Sequence, residues 1–236
     1  MKMKRDISKI CSALVFGLAA ISCSLDETAD IKLVELGTPL ENNICFVEAA
    51  GGEYDVEVLS NGAYHVEFTE NDWLTLSALQ GNGDGRIKLT ATPNKEFKRM
   101  TSFVLCSDVD TRRDTVYVKQ KGDIEASLSM DNTSLVLPGA GGQSTAAIRT
   151  NIPFSYLESS VAYNEFDNVD WLDLSKLSIS GEGASQTISI SSAPNTDPVS
   201  IRSASLYLSF VDGWGDKVAL EILLMQKNSN EGLGVL

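Results

Sequence analysis

The fold is decided by a short stretch, residues 54–68, which reads YDVEVLSNGAYHVEF. On both sides of Ser60-Asn61-Gly62, polar residues alternate with apolar or β-branched ones. A period of two is typical of β-strands that have one face in a core and the other in water. Asn and Gly tolerate the left-handed backbone that tight turns need. The stretch therefore predicts two strands joined by a turn.

The same alternation continues towards the C-terminus. The further segments are Arg86–Thr90, Asp114–Val118, Ala146–Arg149, Phe154–Leu157, Thr187–Ile190, Ala204–Phe210 and Val218–Leu224. Turn-forming residues separate them, for example at Gly81–Gly85 and Asp108–Asp110. About seven short strands in roughly 85 to 100 residues are typical of an immunoglobulin-like sandwich. We therefore predict an all-β protein.

The chain also carries the same landmarks twice, in the same order. The first set is Ala50-Gly51-Gly52, Asp72-Trp73-Leu74, Pro93-Asn94, Arg99 and Gln120-Lys121; the second is Ala140-Gly141-Gly142, Asp170-Trp171-Leu172, Pro194-Asn195, Arg202 and Gln226-Lys227. An ordered repeat of this length indicates two tandem sandwich domains. We place the first domain at 37–122, the second at 127–228, and a flexible tail at 229–236.

The N-terminus has the pattern of an export signal. A basic start is followed by an apolar run, Ile10–Ile21, which is too short to span a bilayer, and by Ala20-Ile21-Ser22-Cys23. This last segment resembles the bacterial lipobox, in which the cysteine is joined to a lipid. It implies a signal peptide at 1–22, lipid attachment at Cys23 and a tether at 23–36; the alternative is an ordinary secretory signal. The acidic Ser24–Thr28 resembles the surface-export signal of Bacteroidetes lipoproteins, so we expect an outer-membrane, cell-surface location.

Charge argues against nucleic acid as a partner. The formal net charge is −13, and the leader contributes +3 from four basic residues and Asp6, so the mature chain would stand at −16. Binding to phosphate needs clustered Lys and Arg. An acidic coat keeps an exported protein soluble.

Each repeat resembles the BACON domain, the Bacteroidetes-associated carbohydrate-binding often N-terminal domain. The residues that carry the resemblance are the Gly-Gly turn, the Asp-Trp-Leu strand start, the Pro-Asn pair and the terminal Gln-Lys described above. The second copy departs in two places, with Asn228 where the first has Gly122 and with an insertion at 163–168. The resemblance implies an immunoglobulin-like sandwich on exported proteins of polysaccharide-utilisation systems, where members are proposed to bind carbohydrate or to act as spacers.

Catalytic patterns are missing from the sequence. His65, the one histidine, lies inside an alternating strand, and no nucleophile elbow, His-Glu-x-x-His or Cys-x-x-Cys occurs. Gly81–Gly85 lacks the alternating carboxylates of a calcium loop and is interpreted as a turn. We therefore predict no enzyme activity, no cofactor and no metal. Cys45 and Cys106 either form a disulfide or stay as buried thiols.

Three aromatic residues are the candidates for ligand binding. Trp214 lies in a Gly-flanked turn without a counterpart in the first repeat, and Tyr163 and Phe166 lie in the insertion. If these loops share one end of the domain, they would form an aromatic patch that suits a neutral glycan. Trp73 and Trp171 occupy the same place in each repeat and are interpreted as core residues.

Two functions remain open at this point, and a hydrolase is disfavoured. The first is a surface-anchored lipoprotein that binds a polysaccharide, host glycan or other host ligand, as a carbohydrate-binding or adhesion module. The second is a structural spacer or accessory subunit of an outer-membrane polysaccharide-utilisation complex, with outer-membrane proteins as partners.

Overall fold

The computed structural model of the protein describes residues 35–164, 170–183 and 186–231. The predicted leader, the lipid-attachment residue Cys23 and Phe166 lie outside the described residues. Within these ranges, no helix is both long and apolar enough to cross a membrane. The helical turns in the described part are short 3₁₀ segments at Glu41–Asn43, Phe154–Tyr156 and Leu174–Lys176.

The first half of the chain folds into two facing sheets. One sheet has the order β1 (Leu36–Gly37), β3 (Gly52–Ser60), β7 (Gly85–Ala91) and β5 (Leu74–Leu76). The other has the order β2 (Ile44–Val47), β9 (Arg113–Gln120), β8 (Arg99–Ser107), β4 (Ala63–Phe68) and β6 (Gln80–Asn82). Between the sheets lies a core that includes the fully buried Val56, Leu89, Phe103 and Val116. The core therefore takes one face of each alternating strand.

The second half repeats this arrangement. One sheet has the order β10 (Leu128–Ser129), β12 (Gly142–Thr150), β15 (Gln186–Ser192) and β14 (Ser178–Ser180). The other has the order β11 (Ser134–Leu137), β17 (Lys217–Gln226), β16 (Arg202–Val211) and β13 (Glu158–Tyr163). Its core includes Ile148, Trp171, Ile188, Leu206 and Ile222. The two halves thus have separate main cores.

Strand order identifies both sandwiches as immunoglobulin-like. That fold pairs an A-B-E-D sheet with a C-F-G sheet. Strands β1-β3-β7-β5 and β4-β8-β9 follow this order, and so do β10-β12-β15-β14 and β13-β16-β17. In each sandwich one further strand runs parallel to the last one, β2 along β9 and β11 along β17. The predicted all-β, immunoglobulin-like fold class is confirmed.

The Gly-Gly landmark has a steric cause in both sandwiches. Gly51 and Gly141 have φ of +72° and +73°, a left-handed conformation that costs other residues free energy. A Cβ at Gly51 would lie 2.4 Å from the Ala91 carbonyl oxygen, and one at Gly141 would lie 2.6 Å from that of Ser192. Glycine therefore lets the turn before β3 or β12 lie against the end of the neighbouring strand.

Two predicted elements are wrong. Phe154–Leu157, expected as a strand, is mostly a 3₁₀ turn in which the amide nitrogen of Leu157 donates to the carbonyl of Phe154, and Tyr156 stacks on Phe210. Part of the expected turn at Gly81–Gly85 is strand β6, because the glycine at 81 lets the strand lie on the Tyr64 ring: a Cβ there would sit 2.4 Å from it.

Candidate functional site

The repeated landmarks of the first sandwich meet in one cluster. The Arg99 guanidinium carbon lies 4.6 Å from the centre of the Trp73 ring, and Arg99 Nε donates to Gln120 Oε1 at 2.8 Å. Gln120 Nε2 in turn donates to the carbonyls of Glu48 and Thr92 at 3.1 and 2.8 Å. The cluster ties the last strand to two loops at one end of the sandwich.

The second sandwich has the same cluster. Arg202 lies 4.8 Å from the Trp171 ring centre, and its Nε donates to Gln226 Oε1 at 2.7 Å. Gln226 Nε2 donates to the carbonyls of Pro138 and Ala193 at 2.9 and 2.8 Å. Since both tryptophans are buried, they are core residues as predicted.

The Pro-Asn landmark also serves the fold. Asn94 and Asn195 are almost fully buried, and each donates through Nδ2 to the lysine carbonyl that follows the terminal glutamine, Lys121 or Lys227, at 3.0 Å. A buried amide is stable only when its hydrogen bonds are made. The Arg, Gln and Asn landmarks therefore stabilise the same end of each sandwich.

Trp214 lies at the tip of the β16–β17 hairpin and contacts the other sandwich. Its Nε1 donates to the carbonyl of Arg99 at 3.2 Å, and its ring meets Phe46 edge to face with 5.7 Å between centroids. Arg99 and Phe46 both belong to the first sandwich. The half-buried indole therefore joins the two domains, and ligand binding by Trp214 stays a prediction.

The rest of the hairpin fits closely against strand β8. Gly213 donates to the carbonyl of Lys98 at 3.0 Å, and a Cβ there would lie 2.7 Å from the Arg99 Cα. Lys98 Nζ lies 2.9 Å from Asp216 Oδ2, and this hydrogen bond raises the pKa of Lys98. Backbone contact and an ion pair therefore hold the same hairpin.

A small third core lies at the junction of the two sandwiches. Phe97 and Phe210 pack with 4.8 Å between ring centroids, and Ile152 is buried with them. Aromatic pairs at this distance contribute about 0.5 to 1.5 kcal/mol beyond the area that they bury. The connection between the domains is thus apolar as well as polar.

An exposed aromatic platform continues from Trp214 across the outer face of the five-stranded sheet. We define the aromatic platform as Phe46, Met100, Tyr117 and Trp214. Phe46 and Met100 flank Lys119 in register, and Tyr117 is the next outward residue along β9. Phe46, Met100 and Tyr117 are 56%, 44% and 41% exposed. Neighbouring outward side chains on a sheet lie close enough to form one surface.

The sequence carried a signal for this platform that was overlooked. Phe46 stands between Cys45 and Val47, and Tyr117 stands between Val116 and Val118. A strand with three apolar residues in a row cannot bury all of them on one face, because successive side chains point to opposite faces. The central aromatic residue is the one that points outward.

Tyr163 does not join Trp214. It is the last residue of β13 and pairs with Ala204 at the beginning of β16, whereas Trp214 follows the end of that strand. At 3.3 Å per residue the two lie roughly 20 Å or more apart along β16. The Tyr163 ring packs 5.7 Å from Trp171, and its hydroxyl accepts from the Leu172 amide. Tyr163 and Trp214 therefore do not form one patch, and Phe166 lies outside the described residues.

A polar pocket of about 880 Å³ lies beside Trp171, and we name it the Trp171 pocket. Gln143, Asp170, Asp173 and Lys176 line it, together with serines of β15. The Trp171 indole nitrogen is buried and stands out among the described residues because it has no hydrogen-bond partner. Asp170 has a left-handed φ of +62°, which is unusual for a residue with a Cβ. Unpaired buried donors and backbone strain are often found at functional sites.

The cysteines and the histidine complete the set of candidate reactive residues. Cys45 and Cys106 are both free and buried, so the disulfide alternative is not realised. Burial raises the pKa of each thiol. His65 is exposed, and its Nδ1 lies 2.5 Å from Asp108 Oδ1.

Fold and surface together define a class: an all-β protein of immunoglobulin-like sandwiches with an exposed aromatic face. Residues 65–121 match the model of the BACON family, which is described as a "putative binding domain, N-terminal". The chain therefore contains a BACON domain, and the match lies within the first sandwich. No curated protein matches the chain.

Several solved structures resemble parts of the chain. A Bacteroides ovatus GH5 xyloglucanase in complex with a XXXG heptasaccharide is 17% identical over 45% of this chain and 22% of its own, with a TM-score of 0.34. An endo-fucoidan hydrolase of glycoside hydrolase family 107 is 15% identical over 79% of this chain and 28% of its own, with a TM-score of 0.26. A chimeric titin Z1Z2-Z1Z2 tandem is 15% identical over 82% of this chain and 100% of its own, with a TM-score of 0.33. The chain thus spans less than a third of both hydrolases, and at such TM-scores the fold assignment rests on strand order.

Proposed function

We propose that this chain is a non-catalytic binding protein of the cell surface and that its ligand is a glycan. The observation that supports this most is the aromatic platform, on which Phe46 and Tyr117 are exposed beside the half-buried Trp214. The BACON domain, described as a putative binding domain, supports the same class.

The platform suits a sugar chain for physical reasons. Soluble proteins rarely leave contiguous apolar patches in water unless the patch binds something. Aromatic rings offer a large contact area with few rotatable bonds, so little conformational entropy is lost on binding. Trp214 is already held by its bond to Arg99 and by Phe46, which preorganises the surface. Lys119, between Phe46 and Met100, and Lys98 and Asp216, beside Trp214, supply polar groups for the hydroxyls of a sugar.

The Trp171 pocket favours the same ligand class. It places Asp170, Asp173 and Lys176 around one concavity. A hydroxyl-rich ligand can satisfy such scattered donors and acceptors, as glycan pockets require. We treat it as a second, separate candidate subsite.

Affinity electrophoresis through a panel of soluble polysaccharides tests the platform. Retardation by one glycan should fall at least tenfold in apparent affinity for Phe46→Ala and for Tyr117→Ala, because each removes an exposed ring. Tyr207→Ala is the matched control: Tyr207 is 39% exposed on the corresponding sheet of the second sandwich, outside the platform. Equal retardation of all three variants and the unchanged protein would refute the platform as the binding site.

We further propose attachment to the outer membrane through a lipid on Cys23. The lipobox resemblance and the short apolar leader support this. Labelled fatty acid should enter the protein in cells and be lost in Cys23→Ala. Cys11→Ala, which changes the cysteine within the leader, should keep the label. Label that persists in Cys23→Ala would overturn the proposal.

The tight junction favours a second candidate function, a spacer or accessory subunit for outer-membrane proteins. Phe97 with Phe210, and Gly213 with Lys98, couple the two sandwiches, and a spacer needs such stiffness. Cross-linking on intact cells separates the two functions. A stoichiometric protein complex without any glycan retardation would favour the spacer.

A further inference from the structure

A second cluster lies on the same outer sheet face, around Cys106, about 20 Å along β8 from Met100 of the platform and about 13 Å from Ser102, the register partner of Tyr117. His65 of β4 pairs directly with Cys106 of β8, and Glu67 is the next outward residue of β4. On the other side of Cys106, its register partner in β9 is Arg113. A ligand atom from each of His65, Glu67 and Cys106 lies within 4.8 Å of the other two.

The His65 ring is oriented as in a metal ligand. A carboxylate only accepts, so Nδ1, 2.5 Å from Asp108 Oδ1, carries the proton. In the neutral ring, Nε2 then keeps its lone pair and lies 3.9 Å from Glu67 Oε1. Metal-binding histidines almost always donate their other nitrogen to a carboxylate, carbonyl or water in this way.

Cys106 is available as the third ligand. Its side chain is on the outer face of β8, opposite to that of the core residue Leu105, yet it is only 3% exposed. A coordinated thiol loses its proton. When that proton is released to solvent, Glu67, Asp108 and Cys106 each carry one negative charge and Arg113 carries one positive charge. The cluster then has a net charge of −2, which a divalent cation neutralises.

We propose that His65 Nε2, Cys106 Sγ and the Glu67 carboxylate form a binding site for Zn²⁺. Nitrogen, sulfur and oxygen ligands together suit this borderline-soft ion, and three protein ligands leave its fourth position to water. Glu67 is held by Arg113, whose Nη1 lies 3.0 Å from Glu67 Oε1 and whose Nη2 bonds Oε2. When the ion binds, Glu67 Oε1 leaves Arg113 and coordinates the ion, while Glu67 Oε2 keeps its bond to Arg113. The ligands sit on adjacent hydrogen-bonded strands, so little backbone ordering is needed.

The site escaped the sequence prediction because its residues are distant along the chain. His65 and Asp108 are 43 residues apart, and no Cys-x-x-Cys or His-x-x-x-His spacing links them. Only the register of β4 against β8 places them together.

Cobalt substitution of the untagged full-length chain tests the proposal. One Co²⁺ per chain should bind at micromolar concentration and give a near-ultraviolet thiolate charge-transfer band, and one equivalent of Zn²⁺ should remove the band. Cys106→Ser should abolish the band, whereas Cys45→Ser, which changes the other buried thiol, should keep it. His65→Gln and Asp108→Asn should lower Zn²⁺ affinity at least tenfold, as is usual for ligands and their orienting partners.

Folding defects are separable from loss of the site. His65 and Asp108 are about half exposed, so their variants should keep the circular dichroism spectrum even if Cys106→Ser does not fold. Binding weaker than millimolar, a cobalt spectrum without the thiolate band, or unchanged Zn²⁺ affinity in His65→Gln would each overturn the proposal. Glycan retardation is a separate measurement, so either proposal can fail alone.

Discussion

The indole Nε1 of Trp214 donates a hydrogen bond to the carbonyl of Arg99, which lies 3.2 Å away and 115 residues earlier in the chain. The side chain of Arg99 is meanwhile held between Trp73 and Gln120 within its own sandwich. Arg99 therefore stabilises both one end of the first sandwich and the junction between the two sandwiches. The junction and the aromatic platform share Trp214, so a change in domain contact alters the proposed binding surface.

Gly213→Ala should open this junction. The added carbon would lie 2.7 Å from both the Arg99 Cα and the Lys98 carbonyl oxygen, and backbone atoms cannot move aside cheaply. We expect a loss of roughly 1 to 3 kcal/mol of unfolding free energy, as in other overpacked sites. Limited proteolysis should cut the linker, residues 122–126, faster. Gly62→Ala is the control, because its added carbon meets only the Val109 side chain, at 3.3 Å. Unchanged linker cleavage in Gly213→Ala would show that the hairpin does not hold the domains.

Gly51→Ala should cost far more stability than Gly52→Ala. Both positions have positive φ, but only Gly51 would place its Cβ against backbone, 2.4 Å from the Ala91 carbonyl oxygen. We expect about 1 to 2 kcal/mol for Gly52→Ala from backbone strain alone, and above 4 kcal/mol for Gly51→Ala. Urea unfolding curves measure both.

The second sandwich offers the same comparison. Gly141 faces the Ser192 carbonyl oxygen at 2.6 Å, whereas a Cβ at Gly142 meets nothing within 4 Å. If the two halves are true repeats, Gly141→Ala should lower the free energy of unfolding more than Gly142→Ala, as Gly51→Ala should compared with Gly52→Ala. Equal losses within a pair would contradict the steric account of the Gly-Gly landmark.

Gln226→Ala should destabilise the second sandwich by about 2 to 4 kcal/mol. It leaves the nearly buried Arg202 without the acceptor for its Nε and removes the donor to Pro138 and Ala193. When one partner of a buried hydrogen bond is removed, the other group stays buried without a partner, and its desolvation lowers the free energy of unfolding. Differential scanning calorimetry should show the effect. Lys227→Ala, at the next and more exposed position, should change stability by less than about 0.5 kcal/mol. A similar small change for Gln226→Ala would mean that the cluster is not a stabilising network.

Local chemistry predicted most of the fold. Alternation placed strands such as β3, β4, β7 and β17, because each has one buried face. The repeated landmarks predicted two similar sandwiches, since the Trp, Arg and Gln of each copy hold one end together. The strand predicted at Phe154–Leu157 is wrong because aromatic residues suit a strand as well as a turn that packs on its own sandwich, as Tyr156 does on Phe210.

The candidate sites depend on contacts that alternation does not encode. Trp214 was singled out as a loop aromatic, but its contact with Phe46 needs the arrangement of both domains. The sequence predicts a loop at Tyr163, whereas in the structure Tyr163 pairs with Ala204 of β16 and belongs to the sheet. The His65 and Cys106 pair follows from register, which a one-residue slip would undo.

Asp197 should make the second sandwich sensitive to acid. Its Oδ1 accepts from the backbone amides of Val199 and Ser200 at 2.7 and 2.8 Å, and the Ser200 bond, then the Val199 bond, lowers the pKa of the carboxyl. A group whose folded pKa lies below its unfolded value, about 3.9 for Asp, stabilises the fold above that value. This contribution is lost as the pH falls from about 4 through the folded pKa. Asp197→Asn keeps an acceptor oxygen but no charge, so its stability should fall less steeply over that range than the unchanged protein. Carboxyl NMR titration should find the pKa of Asp197 below 3.9; a pKa at or above that value, with equal acid slopes for both proteins, would contradict the role of the turn.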